Sequence, residues 1–225
     1  MLFENTEVFN FDGALRGMRN PKESWNKSDS EWETHINYNK DEVYTKFSIG
    51  KNDLKLAQTL IRAGSEHRKF MRQIFVSVDI TAPLYWWKEF DTYKVATVSN
   101  SCSTMHKLAD TPITKDCFEM GDFTPFIDNF KIDLSWQTIV TYLEQLRQKY
   151  NETKDKRYWK ELIRLLPESW LQKRTITMNY ENLLGICSKG QRRFHKLTEW
   201  SVDFIQWARN LPYARDLLFI DELSK

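Results

Sequence analysis

The 225-residue chain contains 14 Phe, 9 Tyr and 9 Trp but only 7 Gly, so it is rich in rigid packing groups. This composition excludes a disordered or collagen-like chain, which lacks the apolar mass to offset the entropy of ordering. The 33 basic and 31 acidic residues are nearly balanced, so charge alone indicates neither a nucleic-acid nor a membrane partner. No stretch reaches 18 apolar residues and no signal peptide is evident, so we expect a soluble, cytoplasmic protein.

The first part of the chain offers few periodic segments. Residues 1–50 contain a strand candidate at Glu7–Phe11 and are otherwise expected to be an irregular part of the same domain as residues 51–225. Asp53 is predicted to N-cap a helix that runs to Ala63 and is closed by Gly64. Apolar residues alternate from Phe70 to Ile80, and this alternation predicts a strand.

The sequence after Ile80 predicts several helices and one further strand. Pro83 is predicted to begin a helix whose Trp86, Trp87 and Phe90 pack in the core. Two more helices are predicted, at Ser135–Tyr150 and ending at Leu166, and a strand at Arg174–Tyr180. In the helical last 45 residues Pro212 breaks the run, and the residues predicted to face inward are Phe194, Leu197, Phe204, Ile205 and Ala208. The mixture predicts an α+β single domain with a central mixed or antiparallel sheet flanked by long helices.

Two common kinds of functional site are not expected. The three cysteines and four histidines are widely spaced, so neither a disulfide framework nor a metal site is predicted. Gly185 and Gly190 have the spacing of a phosphate loop, but Gln191 and Arg192 stand where Lys and Ser/Thr belong. A glycine that ends a helix is the simpler interpretation of this segment.

Three polar segments carry chemistry that a ligand site uses. His67 is a candidate acid, base or ligand contact, with a structural role as the alternative. The run Ser99–Thr104 suits a phosphate or heterocycle, and equally a polar turn. Arg192 and Arg193, with Lys189, suit a phosphate ester, and equally a solvated basic face.

Three segments, in this order, resemble blocks of the flavin-dependent thymidylate synthase family. SEHRKFMRQIFVSVDITAPLYWWKEFDTYKVATVSNSCSTMHKL, residues 65–108, is similar to the central block, with its Glu-His pair, strand, Ala-Pro helix start and Ser/Asn-rich run. RLLPESWLQKRTITMNYENLLGI, residues 164–186, resembles the Leu-Pro, aromatic and Asn block, and RRFHKLTEW, residues 192–200, the closing helix. The resemblance implies that family's fold.

The resemblance also implies an activity. The family converts dUMP to dTMP with methylenetetrahydrofolate as carbon donor, reduced FAD as hydride donor and NADPH as reductant of the flavin. It implies a homotetramer whose active site forms between subunits.

One departure falls in the signature motif. Thr92-Tyr93-Lys94 stands where the family has Arg-His-Arg, and Thr104 or Met105 stands where its closing Arg belongs. Replacing planar bidentate donors by a hydroxyl and a point charge is not conservative. The alternatives are therefore a catalytically altered nucleotide-binding homologue without flavin redox activity, and a transferase acting on another pyrimidine nucleotide.

The resemblance assigns roles to residues by position. It implies catalytic roles for His67, Lys94 and Ser103, and no metal ligand. It implies FAD contacts by His67, Glu89, Tyr93, Lys94 and Asn179, and dUMP contacts by Cys102, Ser103, Arg164, Arg192 and Arg193.

Overall fold

The computed structural model of the protein describes residues 1–37, 42–93, 95–120 and 132–223. The strands are β1 (Leu2–Phe9), β2 (Glu31–Asn37), β3 (Glu42–Ser48), β4 (Phe75–Pro83), β5 (Val98–Ser101) and β6 (Leu171–Asn179). The α-helices are α1 (Phe11–Arg19), α2 (Lys51–Arg62), α3 (Leu84–Phe90), α4 (Thr104–Lys107), α5 (Ile132–Thr153), α6 (Lys156–Leu165), α7 (Tyr180–Ile186), α8 (Lys189–Phe194), α9 (Ile205–Arg209) and α10 (Ala214–Leu217). A π-helix, Glu199–Phe204, precedes α9.

Two sheets are present in the described part of the chain. Four strands form a sheet in the order β1-β4-β6-β5, and β2 and β3 form a separate antiparallel pair. Together with the helices they confirm the predicted α+β class. No helix among the described residues is long and apolar enough to cross a membrane.

The chain divides into two compact units. The first unit comprises Met1–Glu4, Asp79–Thr92 and Ser99–Thr175, and the second comprises Asn5–Val78, Tyr93–Val98 and Ile176–Lys225. In the first unit, a core cluster gathers residues from α5, α6 and the preceding loops: Leu108, Ile113, Phe118, Leu143, Leu146 and Leu162. The predicted core role of Trp86, Trp87 and Phe90 is confirmed, since each is at most 1% exposed.

Strand and helix predictions from periodicity are largely confirmed. Ile74, Val76, Val78 and Ile80 are all fully buried, as the alternation predicted, although β4 itself begins at Phe75. The predicted strand Arg174–Tyr180 corresponds to β6, and α6 ends just before Leu166. Phe204, Ile205 and Ala208 are buried, Leu197 is half-buried and Ile139 of α5 is 40% exposed. The side chain of Phe194 lies outside the described part.

The prediction of an irregular N-terminal region was wrong. β1, α1, β2 and β3 all lie within the first 48 residues, and Phe11 begins α1 rather than ending a strand. Phe11, Ala14, Leu15 and Met18 are buried at helical spacing along α1. This spacing is present in the sequence, but Gly13 and Gly17 lower the helix propensity of the segment.

The prediction that Asp53 caps α2 was also wrong. Helix α2 begins at Lys51, and its first amides are capped by Asp29, whose carboxylate accepts from the backbone N–H of Asn52 (2.8 Å) and Asp53 (3.0 Å). A Cβ at Gly50 would lie 2.2 Å from the Asp29 backbone oxygen, so this close approach requires glycine. Gly64 ends the helix region as predicted, at φ 107°.

The β2–β3 pair was not predicted. Its register places Trp32 opposite Phe47, His35 opposite Tyr44 and Ile36 opposite Val43. Not one side chain of residues 31–36 and 43–48 is buried. The pair is joined to the rest of the second unit by Tyr213, whose hydroxyl accepts from the Ile49 N–H (2.9 Å) and donates to the Phe47 carbonyl (3.3 Å).

Candidate functional site

Thr92 and Tyr93, which stand at the predicted signature motif, follow α3, and Tyr93 belongs to the second unit. The Tyr93 ring is half-buried and lies 5.4 Å from the indole of Trp200 in the π-helix. Lys94 lies outside the described residues. Beyond it, Val95 and Val98 are 83% and 68% exposed, and Ala96 adopts a left-handed conformation with φ 60°.

Asn179 lies at the junction of β6 and α7 and is 3% exposed. Its side-chain oxygen Oδ1 accepts from the Asn182 backbone N–H (3.0 Å), and the Asn182 Oδ1 accepts in return from the Asn179 backbone N–H (3.2 Å). This reciprocal pair is a capping box, which the sequence favours because Asn is among the preferred N-cap residues. The Asn182 amide also donates to the carbonyl of Val95 (2.6 Å). The structure thus brings Asn179 and the Tyr93 segment together through Asn182, a residue the sequence did not single out.

Arg192 lies in α8, where its positive charge is paired with carboxylates of the same chain. Its guanidinium lies 2.9 Å from Glu222 and 3.3 Å from Asp221, and it also donates to the carbonyl of Cys187. Glu222 in turn accepts from Arg209 at 2.7 Å, and this hydrogen bond, aided by the positive charges of Arg209 and Arg192, holds the pKa of Glu222 below its ordinary value. Of the predicted pair, Arg193 belongs to the same helix, and its side chain lies outside the described part.

His67 lies on a cavity in the second unit. The cavity has a volume of 1020 Å³ and is bordered by α1, α2 and the segment Glu66–Phe70. The His67 backbone N–H donates to the carbonyl of Gly64 (3.0 Å), and its side chain is exposed. A cavity of this size accommodates a nucleotide-sized ligand. The sequence predicted His67 as a ligand contact but did not predict the cavity.

The remaining predicted site residues belong to the first unit. Glu89 is exposed on α3, and Arg164 is exposed on α6, where it pairs with Glu161 at 3.2 Å. Ser103 caps α4, since its hydroxyl accepts from the His106 N–H (3.2 Å). Cys102 is exposed, and its backbone carbonyl accepts from the Gln172 side chain (3.0 Å).

Arg174 is a half-buried cation of the first unit that no sequence pattern singles out. Its guanidinium lies over the Trp87 ring at 4.3 Å and 2.9 Å from Asp91. Its Nε donates to the Gln172 side chain (2.9 Å), which holds the backbone of Cys102. Arg174 therefore positions Gln172, which binds the backbone of the run Ser99–Thr104 at Cys102.

Comparison with known proteins reveals a likeness of fold. No protein-family model matches the chain, and no curated protein sequence matches it. The crystal structure of the flavin-dependent thymidylate synthase ThyX from Helicobacter pylori, complexed with FAD and dUMP, matches with a TM-score of 0.65 and 18% identity over 100% of both chains. A second structure of ThyX from Helicobacter pylori with FAD and dUMP matches with a TM-score of 0.66 and 18% identity over 98% of each chain. The chain therefore shares its fold with these thymidylate synthases.

Proposed function

We propose that this chain is a flavin-dependent thymidylate synthase-like enzyme that methylates dUMP to dTMP, with methylenetetrahydrofolate as carbon donor. The observation that carries the proposal is the likeness over the whole chain to structures that hold FAD and dUMP. Bound FAD would supply the hydride, after reduction by NADPH. A homotetramer and a cytoplasmic location complete the proposal.

The residues present fit this ligand set in part. Tyr93 offers an aromatic ring for stacking on a heterocycle, and Asn182 fixes the backbone beside it. In place of two arginines the signature has the hydroxyl of Thr92, which donates to the Glu89 carbonyl (2.7 Å), and Lys94. The chain's own role in this proposal is to position a nucleotide, and it does so without the bidentate donors of the signature.

A second candidate function is a nucleotide-binding homologue without flavin redox activity. The observation that favours it is the replacement of the signature Arg-His-Arg by Thr92-Tyr93-Lys94, which removes two bidentate donors. Arg192 is paired with Asp221 and Glu222 within the chain. Arg193 then carries the phosphate contact. The third hypothesis is a transferase that acts on another pyrimidine nucleotide. Analysis of the products formed from dUMP and from dCMP distinguishes it from the first two.

Complementation of a thymidine-requiring bacterial strain tests the enzymatic proposal directly. Growth without thymidine is expected, and failure to grow despite soluble expression contradicts it. Calorimetric titration with dUMP and with FAD then separates the candidates. Binding of dUMP without FAD identifies the homologue lacking redox activity, and binding of neither rejects nucleotide binding at this site.

Asn179 and Lys94 provide the mutational test of the site assignment. We expect Asn179→Ala and Lys94→Ala each to weaken FAD or dUMP binding by about 1–3 kcal/mol, the scale of a hydrogen bond to a charged group. Because Asn179 also caps α7, Asn179→Ser is the matched control, since serine retains a capping oxygen and removes the amide. If Asn179→Ser binds as the parent does, the amide has no ligand role.

A further inference from the structure

Two guanidinium groups of the second unit lie over the same aromatic ring. The Cζ atoms of Arg192 in α8 and Arg209 in α9 are 5.3 and 4.1 Å from the centre of the Phe219 ring, which is fully buried. Arg192 also donates to the carbonyl of Cys187. Both cations are therefore held in place by groups other than carboxylates. Together they form an arginine pair suited to an anion with several oxygen atoms.

Carboxylates of the chain itself occupy the arginine pair. Glu222 lies 2.9 Å from Arg192 and accepts two hydrogen bonds from Arg209, at 2.7 and 2.9 Å. Asp221 lies 3.3 Å from Arg192 and accepts from the backbone N–H of Lys189 (2.8 Å). Two guanidinium groups and a backbone N–H thus surround two carboxylates. Donors of these kinds also bind the oxygens of a phosphate group.

The segment that carries these carboxylates, Ile220–Glu222, is attached by charge. None of residues 220–223 is buried, so lifting them away from the arginine pair exposes little apolar surface. Within the described part of the chain, every hydrogen bond and ion pair that joins these residues to α8 or α9 uses the carboxylate of Asp221 or Glu222. Phe219, immediately before the segment, is fully buried. The segment can therefore leave the arginine pair while Phe219 keeps its place.

We infer that the segment Ile220–Glu222 is an internal competitor for the anion of a ligand. Its two carboxylates occupy the arginine pair, and a ligand phosphate reaches Arg192 only by displacing them. Because apparent affinity falls with the fraction of molecules whose site is open, the segment weakens the binding of a phosphate-bearing ligand. This competition rests on the proposed function in one respect, the assignment of a nucleotide phosphate to Arg192. The closure by the acidic segment is independent of the reaction catalysed.

Calorimetric titration of the full chain with dUMP and with inorganic phosphate tests the competition. Asp221→Asn combined with Glu222→Gln removes both charges and keeps the shapes of the side chains, including an oxygen that accepts from the Lys189 N–H. We expect this double variant to bind each probe about 2- to 30-fold more tightly than the parent, the range for releasing two partly exposed ion pairs. Affinity equal to that of the parent, or binding of neither probe to either protein, overturns the inference.

Two further variants separate the competitor from net charge. Glu152→Gln combined with Glu161→Gln also removes two negative charges, which are paired with Lys149 and Arg164 on the surface of the first unit. This matched control should bind both probes as the parent does. A gain equal to that of the first double variant would assign the effect to net charge and overturn the inference. Arg192→Gln, added to the first double variant, should remove the gain.

Hydrogen exchange detects the displacement of the segment directly. The backbone N–H groups of Glu222 and Leu223 donate to the carbonyls of Phe219 (2.9 Å) and Ile220 (3.3 Å). If a phosphate lifts the segment from the arginine pair, saturating dUMP should accelerate the exchange of these two amides in the parent. A purely structural ion pair predicts slower or unchanged exchange. Either of those results in the saturated parent overturns the inference, whatever the affinities of the variants.

The outcomes separate this inference from the thymidylate synthase proposal. If the Asp221 and Glu222 double variant gains affinity and thymidine-independent growth fails, the competitor stands and the enzymatic proposal falls. If growth succeeds and this variant binds dUMP as the parent does, the enzymatic proposal stands and the competitor is overturned. Because unfolding lowers affinity, the expected gain cannot arise from a misfolded variant.

Discussion

Two irregular segments of the second unit are held in different ways. Residues 20–30, in the wall of the cavity, are tied to the buried Arg19–Asp53 pair through backbone carbonyls and through Ser28 and Ser30, each 2.6 Å from Asp53. The segment after Tyr93 is exposed, and Val95 is tied by one hydrogen bond from Asn182. The wall is thus a fixed surface, whereas among the described residues 95–97 the backbone is held by one side-chain donor, Asn182. An irregular backbone is ordered by the buried groups that bind it and not by its own periodicity.

The first unit contains a third segment that is held like the cavity wall. Arg147 and Glu144 of α5 form an ion pair at 2.6 Å. Arg147 donates to the Ala109 carbonyl (3.1 Å), and Glu144 accepts from the Ile113 N–H (2.8 Å). In both units, therefore, an ion pair that also binds backbone atoms orders a loop. The pair is fully buried at the cavity wall and partly exposed in the first unit.

The largest expected effect comes from breaking the buried pair. Asp53→Ala leaves Arg19 buried without its carboxylate, so we expect a loss of about 3–5 kcal/mol in the free energy of unfolding, measured by urea denaturation. Glu161→Ala, which breaks an exposed pair with Arg164, should cost less than about 1 kcal/mol. A similar small loss for both variants would mean that Asp53 does not hold the wall.

The pH dependence of stability tests the pair in the first unit. Side-chain hydrogen bonds from Arg147 lower the pKa of Glu144 to about 2, against the smaller opposing effect of burial. Because the folded-state pKa lies below the unfolded value, this stabilisation is present above about pH 4.5 and is lost as the pH falls toward 2. We expect a contribution of about 2–3 kcal/mol, allowing for partial exposure of the pair.

Glu144→Gln should reduce stability at pH 7 and flatten the decline between pH 4.5 and 2. Asp53 adds to the parent's decline in the same direction: burial would raise its pKa, but hydrogen bonds from Ser28, Ser30 and Arg19 hold it below the ordinary value. Glu152→Gln, which alters an exposed pair with Lys149, is the control and should leave the slope unchanged. An unchanged slope in Glu144→Gln would contradict the assignment.

A smaller effect is expected at the signature segment. Asn182→Ala removes the donor to Val95 and half of the capping box, so we expect a loss of about 1–2 kcal/mol. Amide exchange of residues 95–98 should accelerate. Asn182→Asp retains an acceptor for the Asn179 N–H and lacks the donor, so it should accelerate exchange in this segment alone. Equal exchange in the two variants and the parent would show that the segment is held by other groups.

The smallest effect concerns Ala96. Its left-handed conformation is costly for a residue with a Cβ, so Ala96→Gly is expected to stabilise the chain by about 0.5 kcal/mol, after the larger entropy of the unfolded glycine is counted. Thermal unfolding measures the shift. Ala57→Gly, in the interior of α2, should instead destabilise by about 1 kcal/mol. Destabilisation by both substitutions would contradict the strained conformation.

The sequence predicted those parts of the fold that periodicity encodes. The alternation through Val76 and Val78 and the aromatic cluster of α3 were sufficient to place buried residues correctly. The role of Asp53 could not be predicted, because its partner Arg19 lies 34 residues earlier and nothing local distinguishes a capping carboxylate from a buried one. The β2–β3 pair was missed because its residues do not alternate between core and solvent.

In the candidate site, too, local sequence patterns predict some features, and contacts between distant residues determine the others. His67, Tyr93 and Asn179 were assigned by resemblance, and these assignments remain predictions. The balance of charge at Arg192 depends on Asp221, 29 residues later, and no sequence pattern reveals it. The residues that line the cavity beside His67 come from α1, α2 and the segment Glu66–Phe70, so only the folded chain shows that they share one opening.

The exposure of the β2–β3 pair determines how readily this part of the protein unfolds locally. Since no described side chain of this pair is buried, separating its strands exposes little new apolar surface, and a two-stranded hairpin is at best marginally stable in water. Its amides should therefore exchange with solvent deuterium through a local opening whose free energy is far below that of global unfolding. The amides of β4 and β6, by contrast, should exchange only when the whole chain unfolds. A denaturant-independent exchange rate at β2 and β3, beside a denaturant-dependent one at β4, would be the signature of this difference.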